Sequence, residues 1–416
     1  MNSLVTFFLV ITGLPLFAAM AVSAIVSHKK AEIDLQAIMI AFHQLASMPL
    51  LKSLPLFAFA GYLLAKSDAP QRLIRLSNAA LGWLPGGLAI VAIWACSLVT
   101  AVTGASGVTI VALGGLLLPA LREQGYGDRF SLGLITTGGS LGLLFPPSLP
   151  VILFGVVAEA PIEELFIAGA LPGILILGLL SAYSAIYSVR AGIPRTPFRG
   201  SELREATWQA KYDIPLPFLI VIGIYSGFIT VSEAAVITAL YVLIVEMVIY
   251  RDLRWRERPG VVRESMVLVG GILIILGMTM AVTNYVIDEE LPQQLFESIG
   301  PYMTSPFAFL LALNLFLLLV GCMIDIYAAI VLIVPLLIPI AEAYDINMSH
   351  LGIIFLTNMG IGYATPPVGV NLFIASVRFN QPILKLYWSA LPFIAILLVA
   401  LALITFVPAL SLSLGG

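Results

Sequence analysis

Long apolar runs separated by short polar stretches make up most of the chain, and their lengths predict membrane-spanning helices, because about 20 mostly apolar residues cross a bilayer once. Residues 4–26 and 49–65 read as spans, joined by 28–47, where charge mixed with apolar residues suggests an interfacial segment. A polar piece at 66–80 carries Lys66, Arg72 and Arg75. The apolar run 85–121 is interrupted at 103–107 by TGASG. It is either one long broken span or two half-length helices forming a re-entrant hairpin with TGASG at its tip. A second interrupted run, 130–158, precedes Glu159, Glu163 and Glu164 and a span at 167–189. Further spans are expected at 214–230, 231–250 and 264–287, followed by interrupted runs at 307–341 and 351–377.

The interruptions are paired. LITTGGSLGLLFPPSLPVILF at 134–154 returns 220 positions later as IFLTNMGIGYATPPVGVNLFI at 354–374, placing Thr137 on Thr357, Gly142 on Gly362 and Pro146-Pro147 on Pro366-Pro367. The same offset carries Pro119 to Pro339 and Ala170-Leu171-Pro172 to Ala390-Leu391-Pro392, so the chain holds two copies of one unit. The first covers 1–190 and the second 214–416, with a linker at 191–213. Interrupted hydrophobic segments at matching places in two halves point to the binding site of a secondary transporter.

Composition agrees with this reading. With 60% hydrophobic residues, 10% charged residues and a mean hydropathy of +1.05, the expected fold class is an all-α polytopic membrane protein. A net charge of -3 gives no reason to expect a nucleic-acid partner. Cys96 and Cys322 both sit in apolar runs and suggest neither a disulfide framework nor a metal centre. The first run lacks a small-residue cleavage site and reads as a retained helix. Arg190, Arg195, Arg199, Arg204 and Lys211 in one loop, and Arg251, Arg254, Arg256, Arg258 and Arg263 in another, place both loops in the cytoplasm by the positive-inside rule. The acidic stretch holding Asp288, Glu289, Glu290 and Glu297 then lies outside, as do Lys29 and Lys30. On this scheme 85–121 opens inward and 307–341 outward, which makes the repeat an inverted one.

Unpaired backbone groups at membrane depth cost several kcal/mol each, so unwound chain survives there only where it is buried in protein or lines a polar cavity. Four such stretches are expected, at 103–107, 142–148, 321–325 and 362–369. Carbonyls at helix ends, with the hydroxyls of Thr103, Ser106, Thr137 and Ser140, offer neutral oxygens suited to sodium, and the following helix N-termini suit an anion. The second unit adds Asp325, Asn358 and Thr365. Glu233 and Glu246 read as structural, His28, His43 and His350 as interfacial, and the tyrosines and tryptophans as an aromatic belt. An enzyme is disfavoured, since the chain has neither HExxH nor paired intramembrane aspartates.

Several ordered motifs carry a family resemblance: TGASGVTIVALGGLLLPAL from Thr103, GYGDRFSLGLITTGGSLGLLFPPSLPVILFGV from Gly125, FIAGALPGIL from Phe166, YSGFITVSEAAV from Tyr225, MIDIYAAIVLIVPLLIPIA from Met323 and NMGIGYATPPVGVNLF from Asn358. Together they resemble the large membrane subunit of tripartite ATP-independent periplasmic (TRAP) transporters, the DctM-like family of the ion-transporter superfamily. The resemblance implies a sodium-driven symporter of the bacterial inner membrane that takes up an organic acid delivered by a periplasmic binding protein. A small four-helix membrane subunit would brace it, and it would work by an elevator movement of a transport domain against a scaffold. It also implies hairpins near 86–121 and 306–341 and broken helices at 130–158 and 350–378. Carried over, the first sodium site takes Thr103, Gly104, Ser106, Gly139, Ser140 and Gly142, and the second Gly321, Cys322, Asp325, Asn358, Gly360 and Gly362. The substrate carboxylate would lie between the tips, near Ala105, Gly107, Pro147, Ser148, Thr365 and Pro367. The chain departs from the family pattern at Gly138-Gly139, where a Ser/Ala run is common, and at Gly104-Ala105-Ser106, where Gly-Ser-Ser is. A stand-alone sodium/carboxylate symporter or exchanger of the same superfamily, needing no binding protein, is the alternative.

Overall fold

The apolar runs fold as helices in a computed structural model that describes residues 16–30, 33–195, 197–226, 228–253, 256–288 and 305–414. Among these residues there are helices and turns but no strand. Residues 4–15 of the first expected span, and Glu289, Glu290 and Glu297 of the acidic stretch, lie outside the described residues. The first helices are α1 (Leu16–Lys30), α2 (Gln36–Ser47), α3 (Ser53–Lys66) and α4 (Ala69–Leu81). The first interrupted runs give α5 (Gly87–Thr103), α6 (Ser106–Glu123), α7 (Asp128–Gly138) and α8 (Leu149–Val157), followed by α9 (Ile162–Ala191). Next come α10 (Gly200–Gln209), α11 (Pro215–Tyr225), α12 (Val231–Ile244), which a π turn prolongs over Val245–Ile249, and α13 (Arg258–Asp288). The second set is α14 (Pro306–Gly321), α15 (Ile326–Ala343), α16 (Met348–Gly362), α17 (Val370–Phe379) and α18 (Ile383–Phe406), with a last turn α19 (Ala409–Leu412). Six described helices are long and apolar enough to cross a membrane.

Residues 85–121 form a hairpin, which settles the choice that length alone left open. Gly104 ends α5 at φ +65°, its amide bonding to Thr100 O at 2.8 Å, and the extended Ala105 turns the chain into α6. Only glycine adopts that left-handed conformation freely. In the second unit α14 ends at Gly321, and Asp325 caps α15 by accepting from Tyr327 N at 2.9 Å.

The Gly and Pro-Pro stretches stop their helices. With 11 residues α7 spans only about 16 Å, and with 9 residues α8 about 14 Å, each well short of a bilayer core of about 30 Å. Both Pro-Pro bonds, Pro146-Pro147 and Pro366-Pro367, are cis.

The repeat governs how these pieces pack. α6 and α15 start and end at equivalent positions, and α7 and α16 start at equivalent positions. α5 packs on α7 as α14 packs on α16. Contacts between the units are reciprocal: α6 meets α17 while α15 meets α8, and α7 meets α18 while α16 meets α9. Reciprocal contacts of this kind belong to a two-fold relation. Near its axis Ser140 Oγ donates to Gly360 O at 2.8 Å, joining two positions that are equivalent in the repeat.

A second body is built from α3, α12 and α13, with α1 and α2 packed on α13. Thr230 and Glu233 form a capping box at the start of α12, so Glu233 is structural as expected. Thr230→Ala is expected to cost about 0.5–2 kcal/mol, read as a lowered unfolding temperature of the purified protein.

The polar piece 66–80 folds differently from a loop. Most of it is α4, packed on α5 and α10, and it aims Arg72 into a buried acidic cluster. The guanidinium lies 2.6 Å from Asp213, 3.0 Å from Glu246 and 2.5 Å from Asp252, and its Cζ is 3.8 Å from the centre of the Tyr250 ring. Side-chain exposures of 11% for Arg72, 2% for Asp213, 0% for Glu246 and 10% for Asp252 place the cluster out of bulk water. Burial works against the Arg72 charge, but the hydrogen bonds it donates to Asp213 and Asp252 and the field of Glu246 hold its pKa above the ordinary value.

Candidate functional site

Each break is met by the hairpin of its own unit, and glycine makes the approach possible. A Cβ on Gly142 would lie 2.0 Å from Ser97 O and 2.5 Å from Ala101 N of α5. The equivalent Gly362 would place one 2.4 Å from Gly321 C and 2.9 Å from Cys322 N. Backbone atoms occupy both positions, so no side chain can move aside. Unwound chain is thereby buried against protein, where its polar groups can be satisfied.

In the first unit Thr103, Gly104 and Ser106 stand at the hairpin tip. Gly139 lies against it, since a Cβ there would be 3.0 Å from Ser106 O. Thr100 Oγ1 donates to Gly139 O at 2.7 Å and lies 2.7 Å from Thr109 Oγ1. Ser140 is turned toward the other unit through Gly360 O. Gly138, Ser140 and Gly142 also spell the G-x-S-x-G pattern of a nucleophile elbow, but among the described residues Ser140 bonds to two carbonyls, Thr137 O and Gly360 O, and to no base.

In the second unit Gly321, Cys322, Asn358 and Gly362 come together, a Cβ on Gly321 standing 3.3 Å from Gly362 Cα and 3.4 Å from Asn358 O, while Asp325 reaches the second break through Tyr363. Gly369 N donates to Cys322 O at 2.9 Å. Tyr363 OH donates to Asp325 Oδ1 at 2.7 Å and accepts from Ile326 N at 2.7 Å, so the start of α15 is capped from both sides. Gly360 stands apart from the other five, with its carbonyl engaged by Ser140. Tyr327 OH crosses to Gly104 O at 2.7 Å and ties the two tips together. The aromatic-belt reading does not apply to Tyr327 and Tyr363, both buried within the site. Tyr327 sits two residues after the tip aspartate and Tyr363 at the start of the break in the second unit, positions from which the sequence could have singled them out.

Several buried side-chain oxygens among the described residues have no hydrogen-bond partner, and three of them, Ser148 Oγ, Asn358 Oδ1 and Asn371 Oδ1, lie in or beside the helix breaks. An unpaired buried acceptor costs about 1–3 kcal/mol, so each is chemically suited to a hard cation or a polar ligand.

A cavity of about 780 Å³ lies between the tips and the second body. Gly104, Ala105, Ser106, Gly107, Asp325, Tyr327 and Tyr363 line one wall. Tyr62, Lys66, Asp68, Gln71 and Glu264 line the other, where Lys66 and Glu264 pair at 3.0 Å. Of the residues expected near substrate, Ala105 and Gly107 are in this wall and Pro147, Ser148, Thr365 and Pro367 are outside it. Pro147 and Ser148 are buried behind the first tip, Thr365 Oγ1 bonds Ile361 O, and Pro367 is on the surface.

Comparison with known proteins bears on the whole chain. The family model for the tripartite ATP-independent periplasmic transporter, DctM component, matches residues 4–410. The chain is 36% identical over 368 residues to the C4-dicarboxylate TRAP transporter large permease protein DctM of Pseudomonas aeruginosa, covering 88% of this chain and 86% of that one. It is 35% identical over 412 residues to the isethionate TRAP transporter permease protein DctMQ of Oleidesulfovibrio alaskensis, covering 98% of this chain but only 64% of that protein's length. The ectoine/5-hydroxyectoine TRAP transporter large permease protein UehC of Ruegeria pomeroyi is 34% identical, with 85% and 83% covered. Among solved structures, the YdaH transporter of Alcanivorax borkumensis matches with a TM-score of 0.64 at 15% identity, covering 91% of this chain and 87% of that one, which is a likeness of fold.

Proposed function

The chain belongs to the DctM family of tripartite ATP-independent periplasmic transporters, a multi-pass membrane transporter rather than an enzyme, and we propose that it carries a small organic acid into the cell together with sodium. The acid would be delivered by a periplasmic binding protein, and a small four-helix membrane subunit would brace the carrier in the bacterial inner membrane. The observation that carries this reading is that each helix break seats on the hairpin of its own unit while both hairpin tips face one cavity, because the N-termini of α6 and α15 then open on a common space.

The residues have separable roles in this reading. Gly104, Ser106 and Gly139 would offer oxygens to one sodium, and Cys322 O, Asp325 and Asn358 to another. Sodium would order the unwound chain, and the N-terminal amides of α6, uncapped by any side chain, would then hold the carboxylate. The hairpins and broken helices would move as one body against α3, α12 and α13. Gly61 of α3 touches that body so closely that a Cβ would lie 2.4 Å from Val102 O. A ligand shifts such an equilibrium only by its differential affinity for the two positions, so ion and acid must act together. The cavity opens beside Lys66, Asp68 and Gln71, on the side that the arginine-rich loops assign to the cytoplasm, and we read this conformation as inward-facing.

The test is uptake by Asp325→Asn and Ser106→Ala variants across a sodium titration. Asp325→Asn is expected to raise the half-saturating sodium concentration about tenfold or more, the loss of one charged ligand. Unchanged sodium dependence in both variants would remove the site assignment, and full uptake without binding protein would favour the stand-alone alternative.

A further inference from the structure

We infer that Asn314 is a positioning residue that holds the Asn358 side-chain oxygen ready for a cation; this rests on the sodium reading above. Asn314 is the one polar residue between Pro306 and Gly321 in an otherwise apolar helix, and it is buried. Its amide orientation follows from chemistry. Leu310 O can only accept, and Asn314 Nδ2 lies 2.9 Å from it and 3.1 Å from Thr405 Oγ1, so Asn314 Oδ1 is left facing Asn358. Asn358 must then present its amino group, and Nδ2 donates to Asn314 Oδ1 at 2.6 Å and to Ile354 O at 2.8 Å. Turning that amide over would set its oxygen against two acceptors. Both amino hydrogens are thus committed, and Asn358 Oδ1 points away from them, fully buried and without a hydrogen-bond partner among the described residues.

An oxygen held this way is pre-organised, because its orientation is set before any ion arrives. Asn358 lies where hairpin 2 meets the second break, with its backbone oxygen 3.4 Å from where a Gly321 Cβ would stand. The repeat places Trp94 and Gly138 at the equivalent positions, so the device exists in the second unit alone.

The experiment is the sodium-dependent rise in unfolding temperature of the purified full chain, with choline chloride keeping ionic strength constant and no organic acid present. Asn314→Leu is expected to shift the midpoint of that rise to about tenfold higher sodium, equivalent to about 1.4 kcal/mol. Thr405→Val, which only loosens Asn314, should shift it by a smaller factor, and Asn314→Asp, which retains the acceptor, should restore part of the response. A wild-type midpoint in Asn314→Leu, or in Thr405→Val should the leucine variant not fold, overturns the positioning role while leaving the sodium reading intact. A wild-type protein stabilised equally by sodium and choline overturns both.

Discussion

Replacing Arg72 by methionine is expected to destabilise the protein by about 3–5 kcal/mol, the usual consequence of removing one partner from a buried charge cluster. One guanidinium faces three carboxylates there, and Asp213 and Glu246 are almost wholly removed from solvent. Without it they would repel one another in a medium that screens poorly. Methionine fills much of the arginine volume, so the loss reports charge more than packing. The measurement is thermal unfolding of the purified variant, alone and combined with Asp213→Asn, Asp252→Asn and Glu246→Gln. The quadruple variant should recover a large part of the loss, since an uncharged cluster needs no counter-ion. An unchanged melting temperature in Arg72→Met would show that the cluster contributes nothing. The consequence reaches the transport mechanism, because α4 connects α3 of the second body to α5 of the first hairpin.

Gly142→Ala and Gly362→Ala are expected to abolish uptake and to destabilise by at least the 1–3 kcal/mol typical of overpacking, about as much as any single methyl can. The obstructing atoms are backbone, at 2.0 Å for Gly142 and 2.4 Å for Gly362, so hairpin and broken helix must separate to admit the methyl group. Separation pulls apart the oxygens that the proposed ion sites need. Gly178→Ala in α9 is the control, because a Cβ there meets nothing within 4 Å, and it should be neutral or slightly stabilising. Uptake and unfolding temperature measured together decide the matter: normal values for both site variants would mean that the hairpins do not seat on the breaks in the working protein.

How far the site was legible varied with the kind of contact involved. The Gly and Pro-Pro stretches were plain because their effect is local: Pro147 and Pro367 cannot donate to a helix, and the same interruption stood 220 positions on. Asp325 and Asn358, on which the proposed second ion site rests, stand out in apolar surroundings, and the structure places Asp325 at the tip of hairpin 2 and Asn358 against Gly321 of the same hairpin. Asn314 and Arg72 were hidden for a different reason. A lone Asn in an apolar helix, or an Arg in a polar stretch, has no visible meaning until its partners are known, and these lie 44 residues away for Asn358 and 141 to 180 away for the carboxylates. Tyr363 and Tyr327 were misread because tyrosine near a predicted span end suits the membrane interface as well as it suits a buried hydrogen bond.

By itself the sequence determined that this is a duplicated helical membrane protein with two interruptions per unit, because hydropathy, chain-breaking residues and an internal offset are properties of the chain read in order. Only the tertiary structure decided that 85–121 is a hairpin, that each hairpin seats on the break of its own unit, that Ser140 meets Gly360, and that one arginine holds three acids. Such decisions depend on which distant backbones can approach within a few ångströms, and close approach depends on the packed shape of both partners, which no single stretch of chain encodes.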